Sequence, residues 1–185
     1  MKKLLLSAAL LACTLSFAQT LGLKAGLNVS NISGGDTNSK AGFYGGAFLN
    51  VPVAKNFSVQ PEILFNGVGA VSDIDSNMKI NLSYISVPIM FQYNALPNLY
   101  LEAGPQFSFL AGSKLKYNNY SESANDLVKG FDFGIGLGAG YYITKNIGIN
   151  ARYVAGVTDI TKKIEGEQIE GKNNVFQVGL SYKFK

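Results

Sequence analysis

The stretch FDFGIGLGAGYYITKNIGINARYVAGVT, residues 131–158, decides how the chain is read. Gly134 to Ala139 spells G-x-G-x-x-A, the phosphate-binding pattern of a dinucleotide fold, and Asp159 stands about twenty positions later, where such a fold keeps its ribose-binding acid. That chemistry needs a strand before the glycines and a helix after them, because the helix N-terminus carries the phosphate. The residues after the glycines are YYITKNIGINARY, which read as strand, tight turn and strand. The glycines have a different order. Phe131, Phe133, Ile135, Leu137, Ala139 and Tyr141 alternate with Asp132, Gly134, Gly136, Gly138, Gly140 and Tyr142. A period of two is the strand period, since successive side chains point to opposite faces. Gly134, Gly136, Gly138 and Gly140 are therefore one face of a strand.

The same period runs through the rest of the chain. LGLKAGLNVS (21–30), FSVQPEILFN (57–66), LYLEAGPQFSF (99–109), NIGINARYVAGVT (146–158) and VFQVGLSYKF (175–184) each set apolar residues against small or polar ones, with Leu64 as an exception. GFYGGAFLNV (42–51) and YISVPIMFQY (84–93) fit less cleanly: Phe48 falls on the wrong side, and Ile80 and Leu82 are out of phase with Ile85. A bulge or a change of environment near Tyr84 explains such a slip. The total is eight strands of about ten residues each, long enough to cross hydrocarbon when tilted. Their connections alternate. PVAKN, NALPN and TKN are tight; SGGDTNSK, AVSDIDSNM, SKLKYNNYSESANDLVK and Lys162–Asn173 are longer and polar. Short turns at one end, long loops at the other and an even strand number describe an antiparallel up-and-down transmembrane β-barrel.

A soluble eight-stranded barrel of the lipocalin type also alternates, with its apolar face inward. The composition of the polar face separates the two readings. It is rich in glycine and poor in charge, whereas a face meeting water carries about a quarter or more charged residues. The apolar face is nearly uncharged and ends in Phe and Tyr, as suits lipid flanked by aromatic belts. Eight strands enclose a space only wide enough for side chains. The glycine stripe then makes room for Tyr44, Phe48, Tyr100 and Arg152. Pro61, Pro88 and Pro105 lack a donor inside proposed strands, and each should mark a bulge or an unbonded ladder position.

Composition closes several functional classes. The chain has no histidine, which removes Ser-His-Asp and Cys-His nucleophiles and the usual imidazole zinc ligand. The net charge of +4 is mild, and no Lys/Arg run marks a nucleic-acid surface. Residues 1–18 form a secretory signal peptide: Lys2 and Lys3, an apolar stretch from Leu4 to Leu15, then Ser16 and Ala18 before a cut ahead of Gln19. Leu10–Cys13 also resembles a lipoprotein box, but the apolar run continues past it to an ordinary cleavage site. Ordinary cleavage removes the single cysteine and leaves residues 19–185 as the barrel.

The inward set carries Lys24, Glu62, Glu102, Asp132, Arg152 and Lys183, three charges of each sign. Charges in a narrow interior should pair. The expectation is an Arg152–Glu62–Glu102 cluster with Lys24 and Lys183 close by, acting as a structural plug. A proton or ion path through the same groups is the functional alternative. No catalytic, cofactor or metal residue is assigned. Asp73–Asn77, DIDSN, opens like a calcium loop, but Met78 and Tyr84 stand where the turn glycine and the bidentate glutamate belong.

LKAGLNVSNISG, GFYGGAFLNVPVAKNFSVQPEILFN, YISVPIMFQY, LYLEAGPQFSFL, DFGIGLGAGYYITKNIGINARYVAGVTDI and VGLSYKF together resemble the porin-family or PorT-like outer-membrane β-barrel proteins. The closing LSYKFK resembles the C-terminal signal read by the outer-membrane assembly machinery, with Lys185 after the usual terminal Phe. The resemblance implies an eight-stranded barrel in a Gram-negative outer membrane, and for some PorT-like members a role in protein secretion. The expected protein is thus not an enzyme. Its partners are outer-membrane lipids, the assembly machinery and an extracellular or secretion-system protein at the long loops. A narrow ion channel and a soluble ligand-binding barrel are the alternatives.

Overall fold

The computed structural model describes residues 19–33, 37–72, 78–117, 120–123, 128–161 and 171–184. Residues 1–18 with Cys13, the Asp73–Asn77 segment and Lys185 lie outside the described residues. The strands are β1 (Thr20–Ser33), β2 (Thr37–Ala54), β3 (Phe57–Ser72), β4 (Met78–Leu96), β5 (Leu99–Tyr117), β6 (Tyr120–Ser123), β7 (Phe131–Tyr142), β8 (Ile147–Gly156) and β9 (Lys172–Lys183). Their order is β4-β3-β2-β1-β9-β8-β7-β5, and β4 pairs with β5 to close the ring. Eight antiparallel strands make the barrel, and β6 extends β5 as a short hairpin outside it. Closure leaves the barrel no open edge, the condition for placing β-structure in hydrocarbon.

The two faces separate cleanly. Leu23, Ile63, Leu101 and Ile149 are 46–57% exposed, while Glu62 and Arg152 are 3% exposed. So extensive an exposed apolar face marks a surface that meets something other than water. Aromatic pairs flank it at both ends. Phe57 lies 5.1 Å from Tyr93, and Tyr182 5.4 Å from Phe184, near the tight turns. Toward the other end Phe43 stacks on Phe65 at 5.8 Å and Phe109 packs on Phe131 at 5.6 Å. These are the two interfacial girdles of a membrane barrel.

The structure corrects one expectation and decides two others. First, several strands are far longer than ten residues: β4 and β5 each have 19, β2 has 18 and β3 has 16. The ladder continues beyond the apolar band, and only the apolar alternation stops there. Most of SGGDTNSK is accordingly strand, and Lys114–Tyr117 pairs with Tyr120–Ser123 inside what reads as a loop. Second, β4 itself stays in phase near Tyr84, and both a bulge and a change of environment are found there. Leu82, Tyr84, Ser86 and Met90 all face inward and are buried. The irregularity is on β5, where Ser83 pairs with Gly112 and Tyr84 with Leu110, leaving Ala111 as the extra residue. Ile80 and Leu82 point into an apolar upper lumen, so the change is one of environment. Third, Pro61, Pro88 and Pro105 mark unbonded ladder positions, one of the two outcomes expected of them, and sit at no register shift. β3 and β4 keep one register from Pro61↔Ile89 to Leu64↔Ser86, and β4 and β5 from Pro88↔Gln106 to Phe91↔Ala103, with pairing interrupted between. The missing donors cost ladder bonds without a bulge. Leu64, the exception in the β3 pattern, is fully buried in the lumen.

Candidate functional site

The inward faces of β1, β3, β5 and β8 bring four charges together. Lys24 Nζ lies 2.8 Å from Glu62 Oε1 and 3.9 Å from Glu102 Oε2. Arg152 grips both acids. Its Nη1 donates to Glu62 Oε2 at 2.9 Å and its Nη2 to Glu62 Oε1 at 2.8 Å, while its Nε donates to Glu102 Oε1 at 2.8 Å. The two parallel bonds to Glu62 are the fork geometry that suits a guanidinium to a carboxylate. All four side chains are at most 3% exposed.

Amides complete the shell. Gln60 Nε2 donates to Glu62 Oε1 at 2.8 Å and Gln92 Nε2 to Glu102 Oε2 at 2.9 Å. Asn50 Nδ2 in turn donates to Gln92 Oε1 at 2.8 Å and to Gln60 Oε1 at 3.2 Å. Every carboxylate oxygen of the cluster therefore has a donor, and two cations balance two anions. A buried pair of this kind survives only if its remaining lone pairs are satisfied, because each ion loses several kcal/mol of hydration. The two glutamines and Asn50 are legible as inward positions of the alternation, but their polarity alone does not mark them as part of the cluster.

The glycine stripe sits against this cluster. A methyl on Gly138 would stand 3.1 Å from both Glu102 Oε1 and Arg152 Cα, and one on Gly136 3.5 Å from Arg152 Cδ. A methyl on Gly140 would overlap the Tyr100 ring, and one on Gly134 would press on Val154 Cγ1 at 2.9 Å. Other glycines admit the remaining large side chains: Gly22 receives Phe48, and Gly26 and Gly179 receive Tyr44. Tyr44 then reaches across to donate to Asn150 Oδ1 at 2.8 Å.

Two of the six inward charges stand apart. Lys183 is only partly buried and lies 3.7 Å above the Tyr142 ring, a cation–π contact instead of a place in the cluster. Its position near the C-terminal end of β9 leaves its head toward the barrel rim. Asp132 is in the upper half. It accepts from Thr158 Oγ1 at 3.1 Å and from Asn173 Nδ2 at 3.3 Å, and Thr158 Oγ1 also accepts from the Phe133 amide at 2.8 Å.

Above the charged layer the lumen turns apolar. Val68, Leu82, Tyr84, Val154 and Val175 from the strands meet Val128 and Ile160 from the connections. Backbone bonds hold those two in place: Leu110 N to Gly130 O at 2.9 Å, Lys129 N to Ile160 O at 2.7 Å, and Ile160 N to Gly171 O at 2.8 Å. Bridges Val128↔Thr161 and Asp159↔Lys172 add to them. The sequence does not announce this layer. Val128 and Ile160 lie in polar stretches with no alternation, so nothing marks them as inward.

A family model described as "Outer membrane protein beta-barrel domain" matches residues 17–162. Among solved structures the chain is similar to Neisserial surface protein A (NspA), at 11% identity and a TM-score of 0.58, covering 90% of this chain and 97% of that one. It is also similar to Ail, the attachment invasion locus protein of Yersinia pestis, at 14% identity and a TM-score of 0.52, with 90% and 97% of the two chains covered. A second structure of Ail, in complex with the heparin analogue sucrose octasulfate, has the same identity and coverage and a TM-score of 0.50. At these identities the likeness is one of fold. The comparison with curated proteins gives no match.

Proposed function

Since the chain belongs to the outer membrane protein beta-barrel domain family, we propose that it is an integral outer-membrane barrel with a closed lumen, whose work is done at its long-loop end. The role is structural, adhesive or accessory to secretion, without catalysis. The observation that carries this reading is the make-up of the interior. A neutral, fully hydrogen-bonded ion cluster lies beneath an apolar layer to which two connections contribute Val128 and Ile160. An ion entering this lumen would have to displace bound partners and cross an apolar layer, each costing several kcal/mol. The strands that project past the apolar band raise the connecting loops off the membrane, where a protein partner can reach them. The adhesive version of the role has a parallel in the name of Ail; the secretion version rests on the resemblance to PorT-like proteins.

Planar-bilayer recording of the refolded protein tests the closed lumen. The expected record is flat, without unitary steps, for protein whose folded state is verified by its shifted migration when unboiled. Regular conductance steps that change when Glu62 and Glu102 are both replaced by glutamine would support the narrow-channel reading instead.

A further inference from the structure

The outward side of the β4–β5 projection carries a concentration of positive charge that the lumen account does not use. Inward positions there are fixed by Leu82 and Ser113, which are buried, so Lys79, Lys114 and Lys116 face outward, and all three are exposed. Lys79 pairs directly with Lys116, and Asn81 with Lys114. Like charges placed opposite one another across a ladder destabilise it unless an anion lies between them. Lys40 on β2, one strand beyond β3, feels the same field: partial burial, and then repulsion from Lys116 and Lys79, hold its ammonium below the ordinary lysine value. Beside these lysines is a cleft of about 590 Å³ whose lining includes Asn81, Ser83, Lys114 and Ser123. Glu122 lines it too and offsets one of the charges.

The height of this patch fixes what it faces. Below it β4 presents Ile85, Val87, Ile89, Phe91 and Tyr93 to the outside, and β5 presents Phe109 and Leu101. Lys79 is six residues beyond Ile85. At about 3.3 Å per residue and a tilt of about 45°, that is about 14 Å further along the membrane normal. Counted from Tyr93 in the lower girdle, Lys79 is about 33 Å along the normal, about 8 Å past an apolar band about 25 Å tall, so the lysines sit at the level of lipid headgroups. They project sideways from the wall and so meet the leaflet before they meet a soluble molecule.

We propose that Lys79, Lys114 and Lys116, with the hydroxyl and amide groups of the adjoining cleft, bind the anionic phosphate of an outer-leaflet lipid. This rests on the membrane reading of the barrel. It adds a preferred lipid contact at one sector of the circumference, between β4 and β5.

The test uses the full mature chain, folded in a neutral detergent and titrated with lipid A, a glycolipid bearing two phosphate groups. Retained lipid is counted by native mass spectrometry. The triple variant Lys79→Gln, Lys114→Gln, Lys116→Gln is expected to lose about a hundredfold in affinity, the scale set by three lysines at an anionic lipid surface. Binding to the wild type should weaken as salt rises. Control charges elsewhere, Lys129→Gln and Lys145→Gln, should leave binding unchanged. Equal binding by wild type and triple variant overturns the proposal. So does loss of lipid A binding to an equal concentration of inorganic phosphate or sucrose octasulfate, which would make the patch a site for soluble anions. Migration of unboiled samples reports folding separately: a chain that never gives the folded band indicts the membrane-barrel reading, whereas a folded chain without lysine-dependent lipid binding indicts this proposal alone.

Discussion

Replacing Arg152 with methionine is expected to cost about 3–5 kcal/mol of unfolding free energy, the range for removing one partner of a buried ion pair. The guanidinium supplies donors to both oxygens of Glu62 and to Glu102 Oε1. Without it two carboxylates remain in a buried interior facing a single ammonium, that of Lys24. Methionine fills much of the volume, so the loss is electrostatic and not a cavity effect. Guanidinium unfolding in detergent, monitored by the fraction of unboiled protein that runs as the folded band, gives the number. Two further variants separate charge from shape. Adding Glu102→Gln to Arg152→Met removes one uncompensated anion and should recover a part of the loss. Arg152→Lys keeps the charge but not the fork, and should fall between wild type and methionine. A change of less than about 0.5 kcal/mol in Arg152→Met, the size found at unremarkable surface positions, would mean that the cluster is hydrated and does not hold the interior together.

The second large effect belongs to the outer face. Leu137 is 67% exposed and lies between the Phe133 and Tyr141 levels of β7, in the middle of the apolar band. Leu137→Arg is expected to destabilise the barrel in lipid bilayers by about 2–4 kcal/mol, the penalty for a cation at the midplane of a barrel's lipid face. Ala41→Arg, on the same outer face beyond the Phe43 girdle, should cost little because its head reaches the polar interface. If the barrel stood in water, an exposed leucine replaced by arginine would change stability by less than about 0.5 kcal/mol. Refolding yield into vesicles, measured for both variants at increasing denaturant, distinguishes these outcomes.

Much of the fold is legible because lipid and lumen impose opposite demands on alternate residues. The β7 stretch shows this most plainly: Phe131 to Tyr141 face out while Asp132 to Tyr142 face in, and the pairing Leu101↔Ala139↔Ala151 aligns the outward sets of neighbouring strands. The same logic brings out Lys24, Glu62, Glu102 and Arg152, because a charge on the otherwise small inward face has only other charges to meet. Legibility fails where the environment changes along a strand. Ile80 and Leu82 look out of phase because the upper lumen is apolar, and inward residues there are hydrophobic. Strand ends are hidden because β4 and β5 leave the apolar band while their ladder continues, so Lys114 and Lys116 belong to a strand within a stretch that composition alone reads as loop. Lys183 shares the face of the cluster, but its distance along β9 from Arg152's partner Gln177 carries it to the rim, where Tyr142 takes its charge. Face comes from parity; height in the barrel needs the register, which the pattern does not contain.

The most direct measurement exploits the absence of tryptophan from the chain. A single probe placed by Leu137→Trp, with Tyr84→Trp as its inward counterpart, is refolded into vesicles whose acyl chains are brominated near their middle. Strong bromine quenching of the Leu137→Trp emission, with little effect from aqueous iodide and with Tyr84→Trp shielded from both quenchers, is the predicted result. Iodide quenching of Leu137→Trp without any response to the brominated chains would contradict a barrel that turns its apolar face to lipid.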